Sequence, residues 1–184
     1  IKVPFGKRTN TEWCYILGEF DVKVEGLVST IAAKRDKIGF SPLSEQGMPF
    51  YGGNIVYKTE IETPECDIEI QVNCYRGALI KVYADGKEIS LIVFSPYRIR
   101  LENLSKGRHT LEFKLFGTRI NTFGGMHNVA EPMWVGPDYW RSKGEPNVVC
   151  AGLPWGTKDE YWKYEYSFKD TGIIASPIIS IYEK

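Results

Sequence analysis

Between Ile55 and Phe116 apolar residues recur at every second position, and a chain with that period folds into half-buried β-strands. Ile55, Tyr57, Thr59 and Ile61 alternate with Val56, Lys58, Glu60 and Glu62. Ile68, Ile70, Val72 and Cys74 alternate in the same way with Glu69, Gln71 and Asn73, so strands are expected over 55–63 and 67–75. Thr63-Pro64-Glu65 separates the two, because proline has no N–H to give to a ladder. Arg76-Gly77 then turns the chain. Residues 79–84 and 87–94 flank Asp85-Gly86, a two-residue loop suited to the positive φ that a tight hairpin demands. A strand over 99–104 follows Ser95-Pro96-Tyr97-Arg98, and Ser105-Lys106-Gly107 leads into another over 110–116 with Leu111, Phe113 and Leu115 on one face. Strands at this spacing with turn residues between them predict a β-sandwich or jelly roll.

The flanks are less regular. Residues 13–24 are aromatic and β-branched around Gly18 and suggest one strand or two short ones. Gly26, Gly39, Pro42, Gly47 and Pro49 mark 25–49 as a long connection with at most a short strand near 28–32. Alternation disappears from 118 to 157, and a loop of that length inside a compact domain is functional or holds structure of its own. Trp162, Tyr164, Tyr166 and Phe168 then predict a last aromatic strand, and 178–182 a closing one.

With 184 residues and no linker-like run, a single domain over 1–184 is expected. The chain begins Ile1-Lys2-Val3-Pro4, which reads as mid-chain sequence and suggests a domain excised from a larger multidomain protein, leaving the compartment unknown, cytoplasmic or secreted. Lys plus Arg balance Asp plus Glu at 23 each, so no net field recruits nucleic acid or an anionic membrane surface. No window approaches the roughly 20 apolar residues of a membrane span. Cys14, Cys66, Cys74 and Cys150 lack zinc spacing and read as buried thiols, with one disulfide left open.

Two Gly-rich, polar-aromatic loops bracket the alternating core. The first, Met48-Pro49-Phe50-Tyr51-Gly52-Gly53-Asn54, offers Tyr51 and Asn54; the second, Gly117 to His127, offers Arg119, Asn121 and His127, followed by Trp134, Trp140 and Trp155. Planar Arg and Asn donors suit vicinal hydroxyls, and an aromatic ring suits the apolar face of a pyranose, so these residues and Arg76 are candidate carbohydrate ligands. They have a structural alternative: long loops must satisfy their own backbone, and tryptophans pack over a core or a neighbouring domain. Catalysis has less material. Hydrolysis of a glycoside needs two carboxylates at a defined separation, whereas Glu60 with Glu62, and Asp67 with Glu69, fit the solvated face of amphipathic strands. His109 and His127 are the only histidines, too few for a multi-His metal site.

The run from Tyr75 to Asn121 resembles the sugar-binding β-sandwich of family 2 glycoside hydrolases and related galactose-binding-like domains. The matching pieces are Tyr75-Arg76-Gly77, the hairpin Val82-Tyr83-Ala84-Asp85-Gly86-Lys87, Phe94-Ser95-Pro96-Tyr97 and Leu104-Ser105-Lys106-Gly107. LGEFDV at 17–22, QGMPFYGGNIVY at 46–57, GTRINTFGGMH at 117–127 and WKYEYSFKDTGIIASP at 162–177 look like accessory domains of large bacterial glycosidases, including rhamnosidase-like ones. In family 2 enzymes the catalytic carboxylates lie on a separate barrel, so the resemblance implies an all-β, jelly-roll, galactose-binding-domain-like module without catalysis of its own. Its implied partners are carbohydrate and the other domains of the parent chain, with no cofactor. Such sandwiches often hold a structural calcium, though no DxDxDG-type loop is present here. The alternatives are a purely structural interdomain module and, least favoured, a stand-alone hydrolase.

Overall fold

The computed structural model describes residues 6, 16–123, 126–127 and 163–183. In chain order its strands are β1 (Asp21–Glu25), β2 (Val28–Ala32), β3 (Ile55–Thr63), β4 (Cys66–Gln71), β5 (Tyr75–Arg76), β6 (Leu79–Ala84), β7 (Lys87–Ile92), β8 (Arg98–Leu104), β9 (Gly107–Phe116), β10 (Gly172–Ile173) and β11 (Ile178–Glu183). A 3-10 turn, Leu43–Gln46, and a one-turn helix α1, Ile120–Phe123, complete the described elements.

Every strand pairing is antiparallel. One sheet has the order β3-β9-β6-β7 and the other β11-β4-β8, with β1-β2 and β5-β10 as separate two-stranded ribbons. The inward residues of the two sheets form one core. Ile55, Tyr57, Ile80, Val82, Leu111, Phe113 and Leu115 come from the four-stranded sheet; Cys66, Ile68, Ile70, Ile99 and Leu101 come from the three-stranded one. The protein is an all-β sandwich.

The period-two pattern explains why. Along β3 and β9 each residue directed inward is buried or half-buried, and β9 alternates without a break from His109 to Phe116. The hairpin at Asp85-Gly86 closes β6 on β7 with φ of 49° and 79° at its two residues, and a register shift between Val82 and Tyr83 bends that edge. His109 is buried, and both its ring nitrogens face acceptors: Nδ1 lies 2.7 Å from Asp85 Oδ2 and Nε2 lies 2.8 Å from Ser105 O. The doubly protonated ring donates to both, which favours the imidazolium and pins one end of the sandwich, and the hydrogen bond to Asp85 is the chief cause that raises its pKa.

Several elements differ from their sequence-based expectation. The strand expected over 67–75 ends at Gln71, because Val72 turns its N–H to Tyr97 O at 2.9 Å, and Tyr75 starts the separate β5. Pairing of the 87–94 run stops at Ile92. In the 13–24 run the strand is β1, and residues 13–15 lie outside the described set. Residues 163–168 form no strand, although their alternation is real. Tyr166 and Phe168 point the same way because they stack on each other, with centroids 5.3 Å apart, and both meet Phe50 edge-on at 5.0 Å. An extended chain alternates whether or not a ladder partner is present. Cys66 and Cys74 are free thiols, while Cys14 and Cys150 lie outside the described residues.

Candidate functional site

The two Gly-rich loops meet at one end of the sandwich. Gly52 lies against α1 so closely that a Cβ there would come within 2.5 Å of Thr122 Oγ1 and 3.3 Å of the Arg119 Cα, and Gly117 abuts the Gly53 carbonyl. Only glycine permits such backbone approach. Hydrogen bonds then lock the loops: Thr122 Oγ1 donates to Phe50 O at 2.8 Å, and Gly117 N–H donates to Asn54 Oδ1 at 3.4 Å.

A second junction joins this unit to the segment before β10. Asn121, 1% exposed, donates through Nδ2 to Lys169 O at 2.7 Å and accepts at Oδ1 from Lys169 N–H at 2.9 Å. Its amide thus acts as a one-residue ladder partner for an extended chain. Ser167 N–H donates to Met126 O at 2.6 Å and Lys163 N–H to His127 O at 3.0 Å, while the His127 ring stacks on Tyr166 at 4.9 Å. Tyr57, buried in the core, accepts from Ile173 N–H through its hydroxyl at 3.1 Å, and burial raises its pKa.

Beside this junction opens a cleft of about 880 Å³, within the size range of small-ligand sites. Tyr75 and Arg76 on β5, Asn73 before it and Gly77-Ala78 after it form one wall. Val93 and Tyr97 come from the β7–β8 connection, Thr118 and Ile120 from the second Gly-rich loop, and Phe168, Lys169 and Asp170 from the approach to β10. Tyr97 holds φ of 54°, an uncommon conformation for a bulky residue, and meets Tyr75 edge-on with centroids 5.8 Å apart. Burial raises the pKa of Tyr75, and Tyr97 adds to the shift, so the Tyr75 phenol remains a neutral hydrogen-bonding group at neutral pH.

Of the sequence candidates among the described residues, Arg76 alone lines this cleft. Arg119 is exposed between the two lining residues Thr118 and Ile120. Asn121 lies beneath the wall with its amide engaged by Lys169. Tyr51, 41% exposed, donates to Asn54 O at 2.9 Å, and Asn54 holds Gly117, so these two shape the loop contact. His127 packs on the aromatic stack behind Phe168. Trp134, Trp140 and Trp155 lie outside the described residues, as does Trp162. Sequence reasoning did not single out Asn73, Tyr75, Tyr97, Phe168, Lys169 or Asp170 as ligand groups. Tyr75 and Tyr97 stood in quoted motifs, but nothing local announced that they share a cleft with Phe168, Lys169 and Asp170, far along the chain.

Three of the four acids weighed for catalysis stay on sheet surfaces with cationic partners, Asp67 with Arg100 at 3.0 Å, Glu69 with Arg98 at 3.5 Å and Glu60 with Arg108 at 3.5 Å, and the fourth, Glu62, is exposed on β3. Among the described residues no group of three or more His, Cys, Asp or Glu is placed to hold a metal ion.

No protein-family model matches the sequence, and no curated protein matches it. Among solved structures, the chain is similar to a rhamnosidase from Novosphingobium sp. PP1Y, at 16% identity and a TM-score of 0.47, over 97% of this chain and 16% of that one. It is similar to a GH2 β-galacturonidase from Eisenbergiella tayi, bound to galacturonate, at 17% identity and a TM-score of 0.34, over 52% of this chain and 17% of that one. A β-D-glucuronidase from Dictyoglomus thermophilum is similar at 15% identity and a TM-score of 0.33, over 53% of this chain and 18% of that one. The chain thus spans less than a fifth of the length of each of these structures.

Proposed function

We propose that this sandwich is a non-catalytic, carbohydrate-binding accessory unit of a bacterial glycoside hydrolase, folded as one domain. The observation that carries the reading is the cleft beside β5 and β10. Tyr75, Tyr97 and Phe168 give it ring surface for the apolar face of a sugar, and Asn73, Arg76, Thr118, Lys169 and Asp170 give it donors and acceptors for hydroxyls. One carboxylate, Asp170, stands among the described lining residues, whereas acid-base cleavage of a glycoside uses two. The parent enzyme enters through the family resemblance of 75–121. In the junction, Arg119 supplements the cleft rim, and Asn121 and His127 position its wall.

A glycan-array screen of the 184-residue chain, followed by calorimetric titration of each hit, tests the reading. A saturable hit that saturates one site per chain is expected; a folded chain that binds no glycan refutes it. One observation favours a structural interdomain module instead: Leu27, Val28 and Ile31 on the β1–β2 hairpin are 65%, 62% and 52% exposed. On that reading the isolated chain self-associates through the hairpin, which sedimentation velocity of Ile31→Lys beside the parent sequence reads directly.

A further inference from the structure

The charges around the cleft do not balance. Arg35, Arg98, Arg100 and Arg108 each meet an acid, at 2.7, 3.5, 3.0 and 3.5 Å. The two other arginines among the described residues, Arg76 and Arg119, have no such partner there, and both belong to the cleft or its rim. Among the described residues Arg76 donates only to the adjacent Tyr75 carbonyl, at 3.3 Å, which leaves most of its guanidinium donors open to a ligand. Lys169, also in the lining, has no carboxylate partner among the described residues, and Asp170 is the single acid among the described lining residues. Two cations against one anion in a concave wall raise the local potential and draw in negative charge.

The backbone positions that carry the cations are also held in place. Lys169 hangs from a backbone clamped on both sides by Asn121, and Arg76 sits on β5 opposite Gly172 in the β5–β10 ribbon. A backbone fixed before binding leaves less freedom to lose when a ligand arrives. A planar guanidinium fork matches a carboxylate or sulfate group in two parallel hydrogen bonds, and the lysine ammonium adds a point charge.

We infer that the cleft recognises an acidic saccharide, whose carboxylate or sulfate group is received by Arg76 and Lys169 while Asp170 accepts from its hydroxyls. This rests on the carbohydrate-binding reading above. The ring of Tyr97 or Phe168 then covers an apolar sugar face.

The test titrates the full chain calorimetrically with trigalacturonate, its methyl ester, a sulfated galactose trisaccharide and neutral galactotriose. The ester keeps every ring hydroxyl and removes the charge. An acidic probe binds about 10-fold or more tightly than the ester, and added salt weakens the acid without weakening the ester. Whether trigalacturonate or the sulfated trisaccharide binds more tightly identifies the source of the anionic group. Arg76→Gln and Lys169→Gln each lower affinity for the acid about 10-fold, lower affinity for the ester by a smaller factor, and leave the melting temperature unchanged. Equal binding of acid and ester overturns the inference and leaves the carbohydrate-binding reading standing. Full acid affinity in the Arg76→Gln/Lys169→Gln double variant overturns it as well. A folded chain that binds none of the four probes or any array glycan defeats both.

Discussion

Asn121 is the residue whose loss separates architecture from recognition. Replacement by Ala removes two hydrogen bonds to the Lys169 backbone, at 2.7 and 2.9 Å, from a side chain that is 1% exposed. Each such bond contributes about 1 kcal/mol net, and a backbone group left unsatisfied in a buried setting costs about 1–3 kcal/mol. With one of the two Lys169 groups recovering water, the sum is about 3 kcal/mol. In a chain of this size that lowers the melting temperature by about 6–12 °C. Urea denaturation followed by circular dichroism gives the free energy, and hydrogen exchange at the Lys169 amide gives the local effect. Asn121→Asp sharpens the test: one oxygen still accepts from Lys169 N–H, but the other faces the Lys169 carbonyl. The buried carboxylate is therefore destabilising while ionised, its pKa is raised, and the variant regains stability as pH falls and the carboxyl takes a proton. A loss under 1 kcal/mol for Asn121→Ala, with Lys169 exchange unchanged, would refute the clamp.

The His109 imidazolium makes stability depend on pH. Its pKa is raised chiefly by the hydrogen bond to Asp85, with the Ser105 carbonyl adding to it; the stabilisation is complete below the ordinary value near 6.5 and is lost as pH rises through the elevated one. Thermal melts across that range should show the decline, and His109→Gln should flatten it. Asp85, lowered chiefly by the same hydrogen bond, contributes above its ordinary 3.8 and loses that contribution as pH falls through the depressed value. Gly172→Ala places a Cβ 2.9 Å from Tyr57 Oη at a φ of +110°, and should cost about 2 kcal/mol or more in chemical denaturation. Gly86→Ala, at φ +79° with open space around it, should cost about 1 kcal/mol through backbone strain alone. Phe113→Ala, wholly buried between the sheets, should cost about 3–5 kcal/mol by the same assay.

The sandwich was legible because the pattern that specifies it is local. Ile55 to Thr63, the Asp85-Gly86 turn and Leu111, Phe113 and Leu115 each reveal a strand or hairpin within a few residues. The two Gly-rich loops were legible as sites of special backbone, and Gly52 and Gly117 do permit the contact between them. The cleft was not legible. Tyr75, Tyr97 and Lys169 meet only through the packing of the β7–β8 connection and the β10 approach around β5, which no window of sequence contains. Tyr166 and Phe168 misled for a related reason: side-chain stacking on Phe50 imitates the period of a sheet. Asn121 carried the signal of a ligand donor, yet the amide chemistry that suits a sugar hydroxyl suits a backbone edge equally well.

The bond from Lys163 N–H to His127 O, at 3.0 Å, brings together the two ends of residues 128–162, and the Asn121 amide repeats that closure one step inward. Whatever chain departs after His127 returns to its own starting point, so the sandwich fixes the separation of those ends whatever the length between them. The sandwich is thereby a frame with a built-in port: sequence can be gained, shortened or exchanged at this position during evolution, or grafted there by design, while both sheets keep their register.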